Sequence, residues 1–396
     1  MERAVIALLL FSIFFSSFLL IPRANLAAAQ RTPSPFHVGV VIDFETLVGK
    51  MSLTSMSLAI DDFYAAHANY STRLVLHTRD SNRDVVGAAS KALDLLKNVQ
   101  VQAIIGPLTS SQAEFVINLG RKSHVPIVSF SATSPSLSPT HSPYFIRTAM
   151  NDSSQVSCIA SMLKLFGWKQ VVPIYEDSDY GSGIIPYLVD VFQDIDTRIP
   201  YRSVLQTSAT DDQIRVELYK MKTMATRVFV VHMSSTLGSR LFLQANEAGM
   251  MEEGYVWIIT DGLTNLLDSM DPSVIESMQG VLGVRPYMPR SANLTGFTTR
   301  WRVKFRQDNP EIGAAEPSLF SLWAYDTVWA LAMAAEKVGI SNPNFKNTPK
   351  KNNSTDLGSL SVSQTGPKLL NAITNTSFKG LSGDFLLVDG QLQSSA

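Results

Sequence analysis

Two short hydroxyl-rich stretches offer the clearest chemistry in this chain. Thr109, Ser110 and Ser111 follow an apolar run ending at Ile105, and Ser131, Ala132, Thr133 and Ser134 follow another ending at Ser129. Where a strand passes through such a loop into a helix, hydroxyls and free backbone N–H groups collect at the helix N-terminus and favour a carboxylate. Helix capping by Ser110 or Ser111, and a polar turn over 131–134, are the alternatives that need no ligand. Two such loops at equivalent strand ends can converge on one anion, and an α-carboxylate fits them.

A second set of residues suits an ammonium. The run Val171 to Tyr175 ends in Glu176-Asp177-Ser178-Asp179-Tyr180-Gly181, and the run Tyr255 to Thr260 ends in Asp261-Gly262. A carboxylate beside an aromatic ring attracts a cation by ion pairing and cation–π interaction, so Asp261 and Tyr180 are candidates to face the ligand. A helix-capping Asp261 and a solvated acidic loop are the bland alternative. Catalysis has no comparable support. No G-x-S-x-G, phosphate-loop or H-E-x-x-H spacing occurs, and His37, His67, His77, His124, His141 and His232 are dispersed without ligand spacing. No cofactor or metal is implied, and a hydrolase is the least favoured class.

The elements that position these loops follow a regular rhythm. Val38 to Ile42, Leu74 to His77, Val101 to Ile105 and Pro126 to Ser129 read as strands, with helices expected over Leu53 to Ala68, Val85 to Lys97 and from near Gln112. The strands are continuous apolar runs, as expected when helices cover both faces of a parallel sheet. The rhythm restarts after Asn151, with strands at Val171 to Tyr175, Arg227 to His232 and Tyr255 to Thr260. Helices are expected at Ser153 to Phe166, Ile184 to Phe192 and Leu237 to Ala248, then at Phe297 to Arg306 and Leu319 to Val338. This predicts an α/β fold of two doubly wound, Rossmann-like lobes. The polar stretch from Ser341 to Gly366 is expected to be a strand-free loop, and Gly383 to Gln393 two strands joined by an Asp-Gly turn.

Composition narrows the function classes. The 396 residues are 45% hydrophobic and 17% charged, enough to bury a large core in two lobes. With 33 basic and 34 acidic residues, no electrostatic footprint for nucleic acid or anionic lipid exists. Cys158 is the only cysteine, which rules out an internal disulfide, and a buried, inert thiol is expected.

The first residues read as a secretory signal. The run Ala4 to Ile21 carries no charge, and Ala27-Ala28-Ala29 supplies a small-residue cleavage pattern, so residues 1–29 are expected to be a signal peptide, with a retained membrane anchor as the alternative. Sequons for N-glycosylation begin at Asn69, Asn151, Asn293, Asn352, Asn353 and Asn375.

Five segments in order then carry a family resemblance: IIGPLTSSQAEFV, VPIVSFSATSPSLS, YFIRTAMNDSSQ, VVPIYEDSDYG and WIITDG. Over about residues 36 to 393 the chain resembles the two-lobed amino-acid-binding superfamily of leucine-type periplasmic binding proteins and the extracellular domains of metabotropic glutamate receptors. The segments SSQAEFVINLG, SATSPSLSP and FKGLSGDFLLVDGQLQ look specifically like plant glutamate receptor-like channels. The resemblance implies a hinged clamshell, with residues 33–149 and 281–345 in one lobe and 150–280 and 346–396 in the other. It implies that Ser110, Ser131, Ala132 and Thr133 hold the α-carboxylate of an amino-acid-like ligand, and that Asp152, Tyr180 and Asp261 surround its ammonium. It also implies an extracellular sensor domain of a cation channel, paired with homologous subunits as dimers or tetramers and reaching the membrane only through the rest of a longer parent. A free-standing binding or assembly module is the alternative.

Overall fold

The computed structural model describes residues 33–339, 345–346, 357–358 and 360–393. The expected signal peptide and the sequons at Asn352 and Asn353 lie outside the described residues.

The alternating faces of apolar strands organise the first lobe. The chain runs β1 (Ser34–Ile42), α1 (Leu47–Ala66), β2 (Thr72–Asp80), α2 (Val85–Asp94), β3 (Ala103–Ile105), α3 (Ser110–Ser123), β4 (Ile127–Ser129) and β5 (Phe145–Arg147). Within these strands Val40, Ile42, Ile105 and Val128 join one buried cluster, while Val41, Ile104 and Ile127 join another on the opposite face. Successive side chains of a strand point to opposite sides of a sheet, so apolar residues at every position mean two covered faces.

The second lobe repeats the plan. It comprises α4 (Val156–Phe166), β6 (Val172–Glu176), the short α5 (Asp179–Gly183), α6 (Ile185–Asp194), β7 (Ser203–Leu205), α7 (Asp211–Lys222), β8 (Val228–His232), α8 (Ser235–Glu247), β9 (Val256–Ile259), the short α9 (Asp261–Thr264) and α10 (Pro272–Ser277), and β10 (Leu282–Gly283). Phe229, Val231 and Ile259 pack on one face, and Val228, Val230 and Ile258 on the other. The parallel strands run β10-β9-β8-β6-β7, and the parallel part of the first sheet runs β5-β4-β3-β1-β2. Both follow the same doubly wound order, in which connections leave in opposite directions from the strand pairs β1/β3 and β6/β8 and open a crevice beyond their carboxyl ends.

The chain then returns to the first lobe through α11 (Ala292–Asp308) and α12 (Leu319–Val338), whose Trp301, Phe305, Leu322 and Leu331 join the cluster that contains Val40. The C-terminal segment corrects two expectations. The stretch Ser341 to Gly366 is not strand-free, since β11 (Phe345–Lys346) pairs with β12 (Val362–Ser363). Nor does the described part of 346–396 complete the second lobe. After α13 (Gly366–Thr374), β13 (Phe378–Lys379) and β14 (Asp384–Phe385), the hairpin β15 (Leu387–Val388) and β16 (Gln391–Leu392) extends the first sheet, with Gln391 opposite Arg147. Two forces decide this. The Arg147 N–H, on the strand edge that β5 would leave open, donates to the Gly390 carbonyl at 2.8 Å. In addition, Leu369, Phe385 and Leu392 are buried in the first-lobe core.

Two smaller points differ from the sequence-based expectations or bear on them. Cys158 is exposed on α4, because Ile159 and Leu163 take that helix's buried face. Asn69, Asn293 and Asn375 are exposed, whereas Asn151 is half-buried, with its Oδ1 accepting from the Ser153 N–H and its Nδ2 donating to Gln391 Oε1 at 3.2 Å. Among the described residues no helix is long and apolar enough to cross a membrane.

Candidate functional site

A cavity of about 450 Å³ lies between the lobes. Its first-lobe wall comes from the loops after β1 (Asp43, Thr46), after β3 (Leu108, Thr109) and after β4 (Ser131, Thr133), together with Val48 and Ser110 in the first turns of α1 and α3. Facing them are Glu176 and Tyr180 after β6, Ser234 to Thr236 after β8, and Gly262 and Leu266 after β9, with Phe320 of α12 at the side. Every one of these strand-end loops belongs to the crevice side of its sheet, as the doubly wound order requires.

The hydroxyl cluster is built by internal hydrogen bonds. Thr109, not Ser110 or Ser111, caps α3 by accepting from the Gln112 N–H at 3.2 Å. Ser110 Oγ accepts from the Ser134 N–H, and Ser131 Oγ donates to the Leu108 carbonyl at 2.8 Å, which ties the two loops together. Ala132 is fully buried and donates its N–H to Ser129 Oγ at 3.0 Å, so it supports the loop without lining the cavity. Beneath the loop Arg147, fully buried, donates to the carbonyls of Thr133 (2.8 Å), Ser134 (2.7 Å) and Leu137. Burial pulls its guanidinium down to about 10, an effect the Asp152 carboxylate opposes.

The expected ammonium side is assembled but set back. Of its three residues only Tyr180 lines the cavity; Asp152 and Asp261 lie buried behind it. Gln155 joins the two carboxylates, its Nε2 donating to Asp152 Oδ1 at 3.2 Å and Asp261 Oδ1 at 2.8 Å, while its Oε1 accepts the Asp261 N–H. Asp261 therefore is not the cap of its short helix; that position is Thr260. Tyr180 tilts against His232 with ring centroids 4.2 Å apart, and a side chain on residue 262 would collide with the Tyr180 hydroxyl, so only glycine admits the ring there. His232 bonds Thr260 Oγ1 through Nδ1 at 2.9 Å, and its Nε2 stands 3.9 Å from Asp152 Oδ2.

Burial governs the charge states. It raises Asp152 well above the ordinary carboxylate range, with the Asp261 carboxylate adding to the effect, and raises Asp261 to about 6, where the Gln155 hydrogen bond opposes it. Burial likewise raises Asp326 to about 6 and lowers His232 to about 4. Between about pH 5 and 6 the folded chain keeps protons on these carboxyls that the unfolded chain has shed, so stability falls as pH rises. His232 acts in reverse, staying neutral in the fold while the unfolded imidazole is charged below its ordinary value of 6.5. The carboxyls outnumber the imidazole, so stability should fall by about 1–2 kcal/mol from pH 5 to 7, measured by denaturant titration at both. A rise across that interval would mean that the carboxyls are ionised and paired in the fold.

Sequence reasoning missed Asp43, Ser234 to Thr236 and Phe320. The strand-end rule itself points to the first two, because Asp43 follows Ile42 and Ser234 lies two residues beyond His232.

Two doubly wound lobes around such a cavity define the class of type I periplasmic binding proteins. A leucine-binding protein from Thermotoga maritima superimposes with a TM-score of 0.69 at 18% identity, covering 90% of this chain and 92% of its own. A transporter solute-binding protein from Rhodopseudomonas palustris, in complex with 3,4-dihydroxybenzoic acid, gives 0.70 at 17% identity, covering 91% of each chain. Within that class the chain belongs to the family described as the receptor family ligand binding region, whose profile matches residues 51–396. It is similar to glutamate receptor 2.7 of Arabidopsis thaliana, with 51% identity over 369 residues, 92% of this chain but 38% of that receptor's length.

Proposed function

We propose that this chain is the extracellular sensor domain of a glutamate receptor-like cation channel and binds a small amino-acid-like ligand between its lobes. The observation that carries the reading is the inter-lobe cavity, with tethered hydroxyls of Ser110, Ser131 and Thr133 on one wall and Tyr180 on the other. The α-carboxylate accepts from the Ser110 and Thr133 hydroxyls and the N-terminal N–H groups of α3, whose dipole favours an anion, while Ser131, its O–H donated to the Leu108 carbonyl, holds the loop in place. The α-ammonium sits against the Tyr180 ring and draws on Asp261 and Asp152, taking over hydrogen bonds that Gln155 Nε2 now makes. A ligand that touches both walls favours the closed arrangement, and in a longer receptor that bias passes to neighbouring subunits. Receptor and binding-protein relatives support a binding role over an enzymatic one.

Calorimetric titration of the secreted chain with the standard amino acids tests this. Asp261→Asn keeps the shape and the Gln155 bond but removes a charge, and should weaken amino-acid binding by about 2 kcal/mol or more. Unchanged affinity would take Asp261 out of the site, and a folded chain that binds no amino acid would overturn the reading.

A further inference from the structure

The remaining lining of the same cavity selects among amino acids. Apart from the hydroxyls and Tyr180, its polar side chains include three carboxylates, Asp43, Glu45 and Glu176, against one guanidinium, Arg83. Their weights are unequal. Asp43 is 2% exposed and Glu176 6%, while Glu45 and Arg83 lie at the exposed rim, where water and salt screen them.

The two buried carboxylates come from opposite lobes and are held only by neutral donors. Among the described residues the hydrogen bonds of Asp43, from Ser81 Oγ, the Arg83 N–H (2.8 Å) and Gln112 Nε2 (3.0 Å), all reach Oδ1. Glu176 Oε1 accepts from Ser178 Oγ at 2.7 Å, and Oε2 accepts the Ser234 N–H, also at 2.7 Å. Neither has a cation within ion-pairing distance among the described residues. Beside them Leu47, Val48, Leu266 and Phe320 offer an apolar wall.

We infer that the ligand is an amino acid with a basic side chain, its aliphatic stem along Leu47, Val48 and Phe320 and its terminal ammonium or guanidinium between Asp43 and Glu176. This rests on the amino-acid reading above and names the ligand's class. A buried carboxylate that lacks a cation gains a charge-assisted hydrogen bond from such a group, and repels the side-chain carboxylate of an acidic amino acid.

The test is calorimetric titration of the secreted chain with L-lysine, L-arginine, L-norleucine and L-glutamate. Norleucine has the carbon stem of lysine without its charge. Lysine or arginine should bind about tenfold or more tighter than norleucine, and glutamate more weakly than norleucine. In the Asp43→Asn, Glu176→Gln double variant the lysine-to-norleucine ratio should fall to about one, a ratio that general damage to the pocket does not produce. Norleucine binding as well as lysine, or glutamate binding better than either, overturns the basic-ligand assignment and leaves the amino-acid site standing. No binding by any of the four to a chain with an intact melting transition overturns the basic-ligand assignment, and the amino-acid site falls with it when the remaining standard amino acids also fail to bind.

Discussion

Replacing Arg147 with methionine should destabilise the chain by about 3 kcal/mol and abolish ligand binding, through loss of three hydrogen bonds to one loop. The guanidinium donates to the carbonyls of Thr133, Ser134 and Leu137, which lie in the segment that presents Ser131 and Thr133 to the cavity. Methionine fills similar space but takes one donor from each carbonyl: those of Thr133 and Ser134 keep the N–H groups of Asp152 and Leu137, while that of Leu137 loses its guanidinium donor, at about 1–3 kcal/mol for a buried group left unpaired. Part of that cost is offset, because a fully buried cation is itself penalised, as its lowered pKa shows. Denaturant titration measures the stability and calorimetry the binding. A variant of unchanged stability that still binds amino acids would show that the loop holds its own shape.

Trp301→Ala should cost about 3–5 kcal/mol, the range for removing a large side chain from a core that cannot collapse around the gap. Trp301 is fully buried, stacks on Phe305 with centroids 4.5 Å apart, and donates its ring N–H to Ser55 Oγ at 2.9 Å. It fastens α11 to α1, so the loss falls on the segment that returns to the first lobe after the second. The denaturation midpoint should drop without loss of the second lobe's own packing, read from unchanged amide hydrogen-exchange protection of β8 and β9 in the variant. A cost below about 1 kcal/mol would mean that the lobe repacks freely.

The elements most legible in the sequence were those with a single strong signal. The strands at Val38, Val101 and Val171 are runs of apolar residues because both sheet faces are covered, and the structure places strands at or within two residues of each run. The helix Asp211–Lys222 was not foreseen, since its face is mostly charged, although Thr210 and Gln213 form a capping box that marks its start. The strand Phe145–Arg147 was hidden by its length and by an arginine, whose burial only its three carbonyl partners explain. At the site, the hydroxyl loops could be found because they lie next to strand ends. That Asp152 and Asp261 share Gln155 could not, since 106 residues separate Gln155 from Asp261.

By itself the sequence determined two doubly wound lobes and which loops stand at their crevices, because apolar periodicity and strand-end position are local properties of the chain. Only the tertiary structure decided that the C-terminal hairpin extends the first sheet, that the ammonium-side carboxylates are buried and share a glutamine, and that Asp43 and Glu176 face one cavity from opposite lobes. Those outcomes depend on which distant edges and charges meet after the lobes have packed, and the free energy of such a meeting is set by burial and geometry, not by neighbours in the chain.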